Sequence, residues 1–392
     1  MILVIVSCGI VLCEAANADH AIITRLDGST ISPNNIDAIV TSEMQSAHVE
    51  GAGIAIFNDG KLVYLKAYGF RDKAKRLPLT PDSVMTAASL TKAAFATIVM
   101  QLVDRGIIDL DKPVWQYLPK PLPDYPNYTD LASDPRYKLI TMRMLLDHTS
   151  GFPNWRRFMD DKKLSINFAP GSRFAYSGEG IALAQMVVEA VTKQSVSELM
   201  SDYVFKPLGM MRTSTVWEKR FESDYANGYD NHGKSLGPER RTTADAAGGM
   251  QTTLRDEARF ALAVLDRQIP DAKVWETMLN PQIRIFAKTE FPSLTTQTTT
   301  ANDEIRLSYG LGWGLFFTPY GRAFFKEGHD DLGWRHYVVG FTGPRSGMLI
   351  MTNSDNGEDI YSSVLVKLTG DTFTPIEWEG FKAPASSDVN AP

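Results

Sequence analysis

Ser89 and Lys92 have residue types and a spacing that could carry out acyl transfer. They stand near the start of a segment, 87 to about 105, whose residues are almost all apolar, which predicts a buried helix. We expect Thr86 to cap this helix and Gly106 to end it in a left-handed conformation. Residues three apart share one face, so a hydroxyl, an amine and the unpaired N–H groups of the first turn could attack an acyl carbon and hold its oxyanion. The alternative is an ordinary capped core helix, since this spacing is common by chance.

Tyr176 is a candidate for the second proton-handling group that such a serine needs, because a serine at its ordinary pKa is a weak nucleophile. It follows the turn Pro170-Gly171 and precedes a predicted helix, so it lies on a loop that could face a cleft. A phenol whose pKa is lowered by a neighbouring ammonium could carry a proton between the nucleophile and the leaving group. The alternative is a tyrosine that packs its ring beneath the loop.

Lys326, Glu327 and Gly328 end a predicted strand and are candidates for a substrate-binding edge. Gly328 would let the substrate backbone approach the strand, and the N–H of His329 could be a second oxyanion donor. Lys326 would add positive charge for an anionic substrate group. The alternative is a solvated lysine beside a turn glycine.

The elements that must position these residues have strand patterns at both ends of the chain and helical patterns between them. Predicted strands lie at 53–57, 62–65, 309–317, 322–326, 336–341 and 347–352, and predicted helices at 36–45, 181–191, 196–205, 254–266 and 358–368. This order predicts an α+β fold, with one antiparallel sheet built from both chain ends, flanked by helices, and an inserted, mainly helical subdomain. We expect one catalytic domain at 19–380, with its sheet subdomain at about 19–85 and 305–370, its helical subdomain at about 86–304, and a disordered tail at 381–392.

Composition and the N-terminus narrow the class of protein. The 392 residues are 44% hydrophobic and 22% charged, as in ordinary globular proteins, and a net charge of −6 without a basic cluster disfavours nucleic-acid binding. Residues 2–13 form an apolar run too short to span a bilayer, and Ala16-Asn17-Ala18 follows as a small-residue cleavage site, although Lys and Arg are missing before the run. We therefore predict a signal peptide at 1–18 and a secreted or periplasmic protein with no membrane span in its mature chain. Cys8 and Cys13 both lie in this segment, so the mature chain would have no disulfide.

Together these motifs resemble those of serine β-lactamase-like hydrolases, the family of class C β-lactamases, D-alanyl-D-alanine carboxypeptidases and related esterases. The likeness runs from about residue 36 to residue 368. Further stretches that fit the family's usual wording are Leu145-Leu146-Asp147-His148-Thr149-Ser150-Gly151, Pro207-Leu208-Gly209-Met210, Gly248-Gly249-Met250 and Tyr309-Gly310-Leu311-Gly312-Trp313. The resemblance implies that Ser89 is the nucleophile, that Lys92 and Tyr176 transfer protons, and that residues 326–328 form the third motif.

Two departures from the family pattern bear on the substrate. The second motif usually ends in an asparagine that holds an acylamino group, and here Gly178 stands there. The third motif usually has a hydroxyl residue at its middle that helps bind a carboxylate, which Glu327 would repel. We therefore predict a serine hydrolase acting on a neutral ester or amide. The alternatives are a β-lactamase or D-Ala-D-Ala carboxypeptidase proper, and a penicillin or wall-fragment receptor without turnover. A second alignment would make His329 the third-motif residue, as in members with His-x-Gly; we prefer Lys326.

Other patterns are interpreted as structural. The Gly-x-Ser-x-Gly stretch around Ser235 has neither the preceding strand nor the following helix of an α/β-hydrolase. The histidines are scattered without ligand spacing, so we expect no metal and no cofactor. We expect His148 to satisfy backbone groups at its turn, and residues 310–314 to be a strand rather than a phosphate loop. The expected partner is a small ester, amide or peptide.

Overall fold

The computed structural model describes residues 22–382; the predicted signal peptide, both cysteines and residues 383–392 lie outside this part of the chain. The α-helices are α1 (Pro33–Ser46), α2 (Leu90–Asp104), α3 (Met142–Leu146), α4 (Gly178–Thr192), α5 (Val196–Met200), α6 (Leu254–Leu265), α7 (Ala272–Met278), α8 (Tyr361–Thr369) and α9 (Ile376–Glu379). The strands are β1 (Ile23–Thr24), β2 (Thr30–Ile31), β3 (Gly51–Asn58), β4 (Lys61–Asp72), β5 (Leu77–Pro78), β6 (Val84–Thr86), β7 (Gly228–Tyr229), β8 (Ser235–Gly237), β9 (Gln251–Thr253), β10 (Ile283–Arg284), β11 (Ser308–Tyr309), β12 (Gly314–Thr318), β13 (Gly321–His329), β14 (Arg335–Phe341) and β15 (Ser346–Thr352). There are also 3₁₀ segments at Val114–Tyr117, Leu122–Asp124, Pro126–Leu131, Pro135–Leu139, Arg156–Phe158, Lys219–Ser223 and Asp355–Ile360, and a π-helical turn at Ser201–Phe205.

One large antiparallel sheet organises the molecule. Within the described residues nine strands pair in the order β10-β11-β12-β13-β14-β15-β3-β4-β5. The β15–β3 pair joins the two ends of the chain in the middle of the sheet, from Gly347 opposite Phe57 to Thr352 opposite Ala52. This confirms the predicted α+β fold class, with helices flanking a sheet built from both termini. The edge strand β10 comes from the region that we expected to be mainly helical.

The sheet is buried on both faces, which explains the unbroken apolar runs of its central strands. Ala55 and Phe57 of β3 belong to a core cluster that also contains the apolar residues of α2 and α6. Ile54 and Ile56, which alternate with them, belong to a second cluster with α1 and α8. Successive side chains of a strand point to opposite faces, so each strand contributes to both cores.

α2 lies in the middle of the first core, as its apolar sequence predicted. Residues 90–100 are all buried, and Gly106 ends the segment with a φ of 69°. The expected cap was wrong, because Thr86 belongs to β6 and the helix is preceded by Ser89. Ser89 makes no side-chain capping bond, since its Oγ accepts a hydrogen bond from Lys92 instead.

Local details also differ from the sequence predictions. The expected strand at 309–317 is two strands, β11 and β12, separated by a turn in which the Gly310 N–H donates to the Trp313 carbonyl at 2.8 Å. Gly312 has a φ of 85°, and a Cβ there would collide with Ala96 of α2, so glycine lets this turn pack against the helix. Phe381, the first residue of the predicted tail, packs edge-on against Tyr361 at 5.3 Å between ring centres, and residues 383–392 of that tail lie outside the described residues.

No helix in the described range 22–382 has the length and apolar content needed to cross a membrane.

Candidate active site

The first turn of α2 brings Ser89 and Lys92 together. Lys92 Nζ lies 2.8 Å from Ser89 Oγ and also donates to the Ala247 carbonyl at 2.5 Å. Lys92 is 2% exposed, so its amine has almost no contact with bulk water. The loop after Ala247 continues into Met250, whose N–H donates to Thr91 Oγ1 at 3.1 Å. The stretch that includes Gly248-Gly249-Met250 therefore lies beside the turn that holds Ser89.

The backbone immediately before Ser89 is strained. Ala88 has a φ of 48°, a left-handed conformation that is costly for a residue with a Cβ. Two hydrogen bonds hold it: Thr91 Oγ1 donates to the Ala88 carbonyl at 2.6 Å, and the Ala87 N–H donates to the Met250 carbonyl at 2.7 Å. Such strain persists only where surrounding contacts fix it, and here it sets the position of Ser89 at the start of the helix.

The environment of Lys92 favours a neutral amine. Burial, and secondly the nearby Lys326 ammonium, lower the pKa of Lys92 from 10.5 to about 7. An amine with such a pKa is largely unprotonated at slightly alkaline pH and can accept a proton from the hydroxyl 2.8 Å away. The lowered pKa therefore makes Lys92 chemically suited to the role of a base.

Tyr176 lies against the same pair of residues. Its hydroxyl accepts a hydrogen bond from Lys326 Nζ at 3.0 Å and is hydrogen-bonded to Ser89. Its ring lies 4.4 Å from the ring of His148, centre to centre. His148 Nδ1 in turn accepts the Ser177 N–H at 3.3 Å. His148 thus supports the Tyr176 loop from behind, which agrees with the structural role expected for it.

The expected lowering of the Tyr176 pKa was wrong. Burial, and secondly the Glu327 carboxylate, raise the pKa of Tyr176 well above its ordinary value, and the hydrogen bond with Ser89 only partly opposes this. Desolvation disfavours the charged phenolate, and the negative charge of Glu327 disfavours it further. Tyr176 is therefore a neutral phenol that can donate its proton.

Lys326 lies on a stretch of β13 with one free edge. β12 begins at Gly314, opposite Phe325, so among residues 22–382 the segment 326–329 pairs with β14 alone. Lys326 is 0% exposed. Its ammonium donates hydrogen bonds to the Tyr176 hydroxyl and, at 2.5 Å, to Glu327 Oε1. We expected this ammonium to serve an anionic substrate group, but it is already paired with a carboxylate.

The neighbouring residues of β13 have different surroundings. The side chain of His329 is 51% exposed, and its Nδ1 lies 3.4 Å from Glu358. The residue of this segment that contacts Tyr176 is Lys326. A Cβ at Gly328 would lie 2.8 Å from the Ala87 carbonyl. Gly328 therefore lets the strand pack against the turn before Ser89, whereas we expected it to make room for substrate.

These residues open onto a cleft of about 760 Å³. Its lining includes Ser89, Lys92, Tyr176 and Glu327, and the rings of Trp155, Phe158 and Phe291. Ser235, in the alternative Gly-x-Ser-x-Gly pattern, is exposed on β8 and is not part of this lining. Of the sequence-predicted site residues, the cleft lining contains Ser89, Lys92, Tyr176, Glu327 and His329; Lys326 contacts it through Tyr176, and Gly328 and Ser235 are not part of it.

A family model for beta-lactamases matches residues 36–369, which is most of the chain. The chain belongs to the beta-lactamase family. Membership in this family supports a serine hydrolase-like function.

Two curated proteins and one solved structure are similar to this chain. Protein flp of Staphylococcus aureus is 28% identical over 223 residues, covering 52% of this chain and 42% of its own length, so the chain matches less than half of that relative. Penicillin-binding protein 4 of Amycolatopsis lactamdurans is 26% identical over 371 residues, covering 86% of this chain and 90% of its own. The octameric penicillin-binding protein homologue from Pyrococcus abyssi is similar in fold, with a TM-score of 0.70 at 22% identity, covering 88% of this chain and 80% of its own.

Within this beta-lactamase family fold, Trp155 occupies the space beside the second motif. A Cβ at Gly178 would collide with the Trp155 ring, so no larger residue fits unless the indole moves. Glu179 holds this loop in place, because its carboxylate pairs with Arg156 at 2.7 Å. The indole therefore forms part of the cleft wall next to the position where the family usually has an asparagine side chain.

Sequence reasoning missed a group of three buried carboxylates in the cleft lining. Oxygens of Glu290, Glu327 and Glu379 lie within 4.8 Å of one another. Only Glu327 stood in a recognisable motif; Glu290 is in a loop before β11, and Glu379 ends α9. Carboxylate oxygens at this spacing could hold a cation, so the expectation of no metal site, which considered histidines, overlooked this cluster.

Proposed function

We propose that the protein is a serine hydrolase that cleaves an ester or amide through an acyl-enzyme on Ser89. The observation that carries this proposal is the 2.8 Å contact of Ser89 Oγ with Lys92 Nζ, an amine whose pKa is lowered to about 7. Family membership supports the same class of reaction.

In the proposed mechanism, neutral Lys92 accepts the Ser89 proton as Oγ bonds to the acyl carbon. The N–H groups of Ser89 and His329 stabilise the oxyanion; one such donor elsewhere contributes ~3 kcal/mol. Tyr176 then donates its proton to the leaving group as the scissile bond breaks, and Lys92 returns a proton to Tyr176. Water repeats these steps in the opposite direction, giving the free acid and restoring Ser89.

The proposed substrate lacks a carboxylate near the third motif. Glu327 is 5% exposed, lines the cleft and is paired with Lys326, so a substrate carboxylate there would lie beside the Glu327 carboxylate and would find no free ammonium. Trp155 beside Gly178 leaves little room for the usual acylamino contact. Both features favour esters or amides without a carboxylate over penicillins and D-Ala-D-Ala peptides.

A fluorophosphonate label followed by mass spectrometry tests the proposal. We expect one adduct, on the peptide that contains Ser89, steady turnover of a p-nitrophenyl ester, and loss of both in Ser89→Ala. Ser235→Ala is the matched control and should behave as wild type. An adduct on Ser235, or one equivalent of product followed by no turnover, would contradict the proposal, and the second result would indicate a receptor that acylates without hydrolysis.

We also propose that the protein is exported, on the signal-peptide pattern of residues 1–18. N-terminal sequencing of the protein from its native host should then begin near Asp19, and an intact Met1 would contradict export by cleavage.

A further inference from the structure

The three cleft carboxylates come from separate elements and are all nearly inaccessible to bulk water. Glu290, Glu327 and Glu379 are 2%, 5% and 6% exposed. The Glu290 N–H donates to the Trp378 carbonyl at 2.9 Å, which fixes the Glu290 loop against α9. Like charges this close in a buried site repel unless a cation or proton lies between them.

Several oxygens of this carboxylate cluster accept no hydrogen bond. Lys326 donates to Glu327 Oε1, and the Tyr337 hydroxyl donates to Glu379 Oε2 at 2.8 Å. Among residues 22–382 neither oxygen of Glu290 has a partner, and Glu379 Oε1 has none. Burial, and secondly a neighbouring carboxylate of the cluster, raise the pKa of Glu290 and of Glu379 well above the ordinary range, and the Lys326 ammonium only partly opposes this. Buried acceptors without donors are costly, so the cluster is suited to a ligand that brings several N–H groups.

We propose that the carboxylate cluster binds the primary ammonium group of the substrate, so that the enzyme acts on esters or amides that carry an amine on an apolar stem. This specificity rests on the proposed function of Ser89. The cluster is linked to the nucleophile by a continuous series of contacts, from Ser89 to Tyr176, to Lys326 and to Glu327. One substrate can therefore place its carbonyl at Ser89 and its ammonium among the carboxylates.

The surroundings favour an organic ammonium over a divalent metal. A primary ammonium has three donors, which matches a cluster of three carboxylates. Lys326 already donates to Glu327 Oε1, so one of the three carboxylates is compensated, and the cluster offers a divalent ion less net charge than three free carboxylates would. Phe291, which lines the cleft and packs against Tyr176 at 5.5 Å, offers an apolar and aromatic surface to the stem and a π-face to the cation.

The charge of the remaining cleft wall also favours a cationic substrate. Its further acidic residues are Glu239, Asp245, Asp330, Asp331 and Glu358. The arginines among them are paired: Arg241 lies 2.7 Å from Glu239, and Arg157 lies 3.9 Å from Asp331. A cleft with this excess of carboxylates attracts cations and concentrates them near the nucleophile.

Calorimetry with n-hexylammonium and 1-hexanol tests the proposal without requiring turnover, and Ser89→Ala protein serves as the receptor. We expect n-hexylammonium to bind at least about tenfold more tightly than 1-hexanol, since a hydrogen bond to a charged group contributes about a tenfold difference in affinity. Glu290→Gln in the same Ser89→Ala background should remove most of that difference. Glu257→Gln is the matched control, because Glu257 of α6 is also a buried carboxyl with an unpartnered oxygen but is not in the cleft lining. It should keep the preference, and a thermal melt of each variant confirms folding.

Turnover provides the second measurement. We expect a p-nitrophenyl ω-aminoacyl ester to have a kcat/KM about tenfold or more above that of its N-acetyl derivative, with the ratio falling in Glu290→Gln. Equal binding of the two hexyl compounds, or a preference that survives Glu290→Gln, would overturn the ammonium site while leaving Ser89 labelling intact. Hydrolysis lost in EDTA and restored by Zn²⁺ would overturn it in favour of a metal. Ammonium binding without Ser89 labelling would instead support the site and contradict the proposed hydrolase.

Discussion

Removing the charge of Lys326 should move the pH dependence of catalysis, because that charge is one reason why Lys92 is neutral. Burial is the larger cause of the lowered Lys92 pKa, and the Lys326 ammonium is the next. If neutral Lys92 is the base, kcat/KM rises with pH as Lys92 loses its proton, with an apparent pKa of about 7. In Lys326→Met, Lys92 should hold its proton to a higher pH, so this acid limb should move upward.

The size of the shift follows from the geometry. Lys92 Nζ and Lys326 Nζ lie 5.1 and 4.6 Å from the centre of the Tyr176 ring, so they are at most about 10 Å apart. Two unit charges ~10 Å apart at an effective dielectric of ~20 repel by ~1.7 kcal/mol. Since ~1.36 kcal/mol corresponds to one pKa unit, the limb should move from about 7 to about 8 or higher.

The assay is the pH profile of kcat/KM for a neutral p-nitrophenyl ester. The position of the limb is the measurement, because Lys326→Met also removes the hydrogen bond to Tyr176 and should lower the maximum rate. Lys206→Met is the control, since Lys206 is an exposed lysine paired with Asp202. A limb at the wild-type pH in Lys326→Met would refute the assignment of Lys92 as the titrating base.

Three further predictions follow from the site. Lys92→Met should raise the free energy of unfolding near pH 7 by about 4 kcal/mol, because folding lowers the Lys92 pKa from 10.5 to about 7. Denaturant titrations should show this gain shrinking between pH 7 and pH 10.5, where the unfolded state alone binds the proton. A gain that stays constant over this pH range would contradict the prediction. Gly178→Asn should destabilise the fold by about 1–3 kcal/mol, because the new side chain collides with Trp155. Adding Trp155→Ala to this variant should restore part of the lost stability. Equal melting temperatures of Gly178→Asn and the wild type would show that the indole moves freely. Glu327→Thr should increase kcat/KM for nitrocefin relative to a neutral ester by at least about tenfold. The reason is that it removes a repulsion of ~2 kcal/mol between Glu327 and the substrate carboxylate and frees Lys326. Efficient hydrolysis of nitrocefin by the wild type, with no improvement in the variant, would contradict this.

The sequence alone predicted the features that depend on local pattern. The unbroken apolar run followed by Gly106 indicated the buried helix α2, and the spacing of Ser89 and Lys92 placed both on its first turn. The strand patterns at the two ends indicated the sheet that β3 and β15 join. Periodicity and turn chemistry are properties of neighbouring residues, so they can be read without knowing the partners. The start of α2 differed from the prediction, since Ser89 rather than Thr86 precedes the helix and hydrogen-bonds to Lys92.

Only the tertiary structure decided the protonation states and the character of the cleft. Tyr176 keeps its proton because burial and the Glu327 carboxylate raise its pKa, and neither burial nor the distances among these groups can be read from the sequence. Glu290 and Glu379 join Glu327 through packing of a loop and of α9, each far from the motif along the chain. The pKa of a buried group depends on its desolvation and on charges within a few ångströms in space. The sequence therefore determined which groups could react, and the folded packing of remote segments determined which of them carry charge.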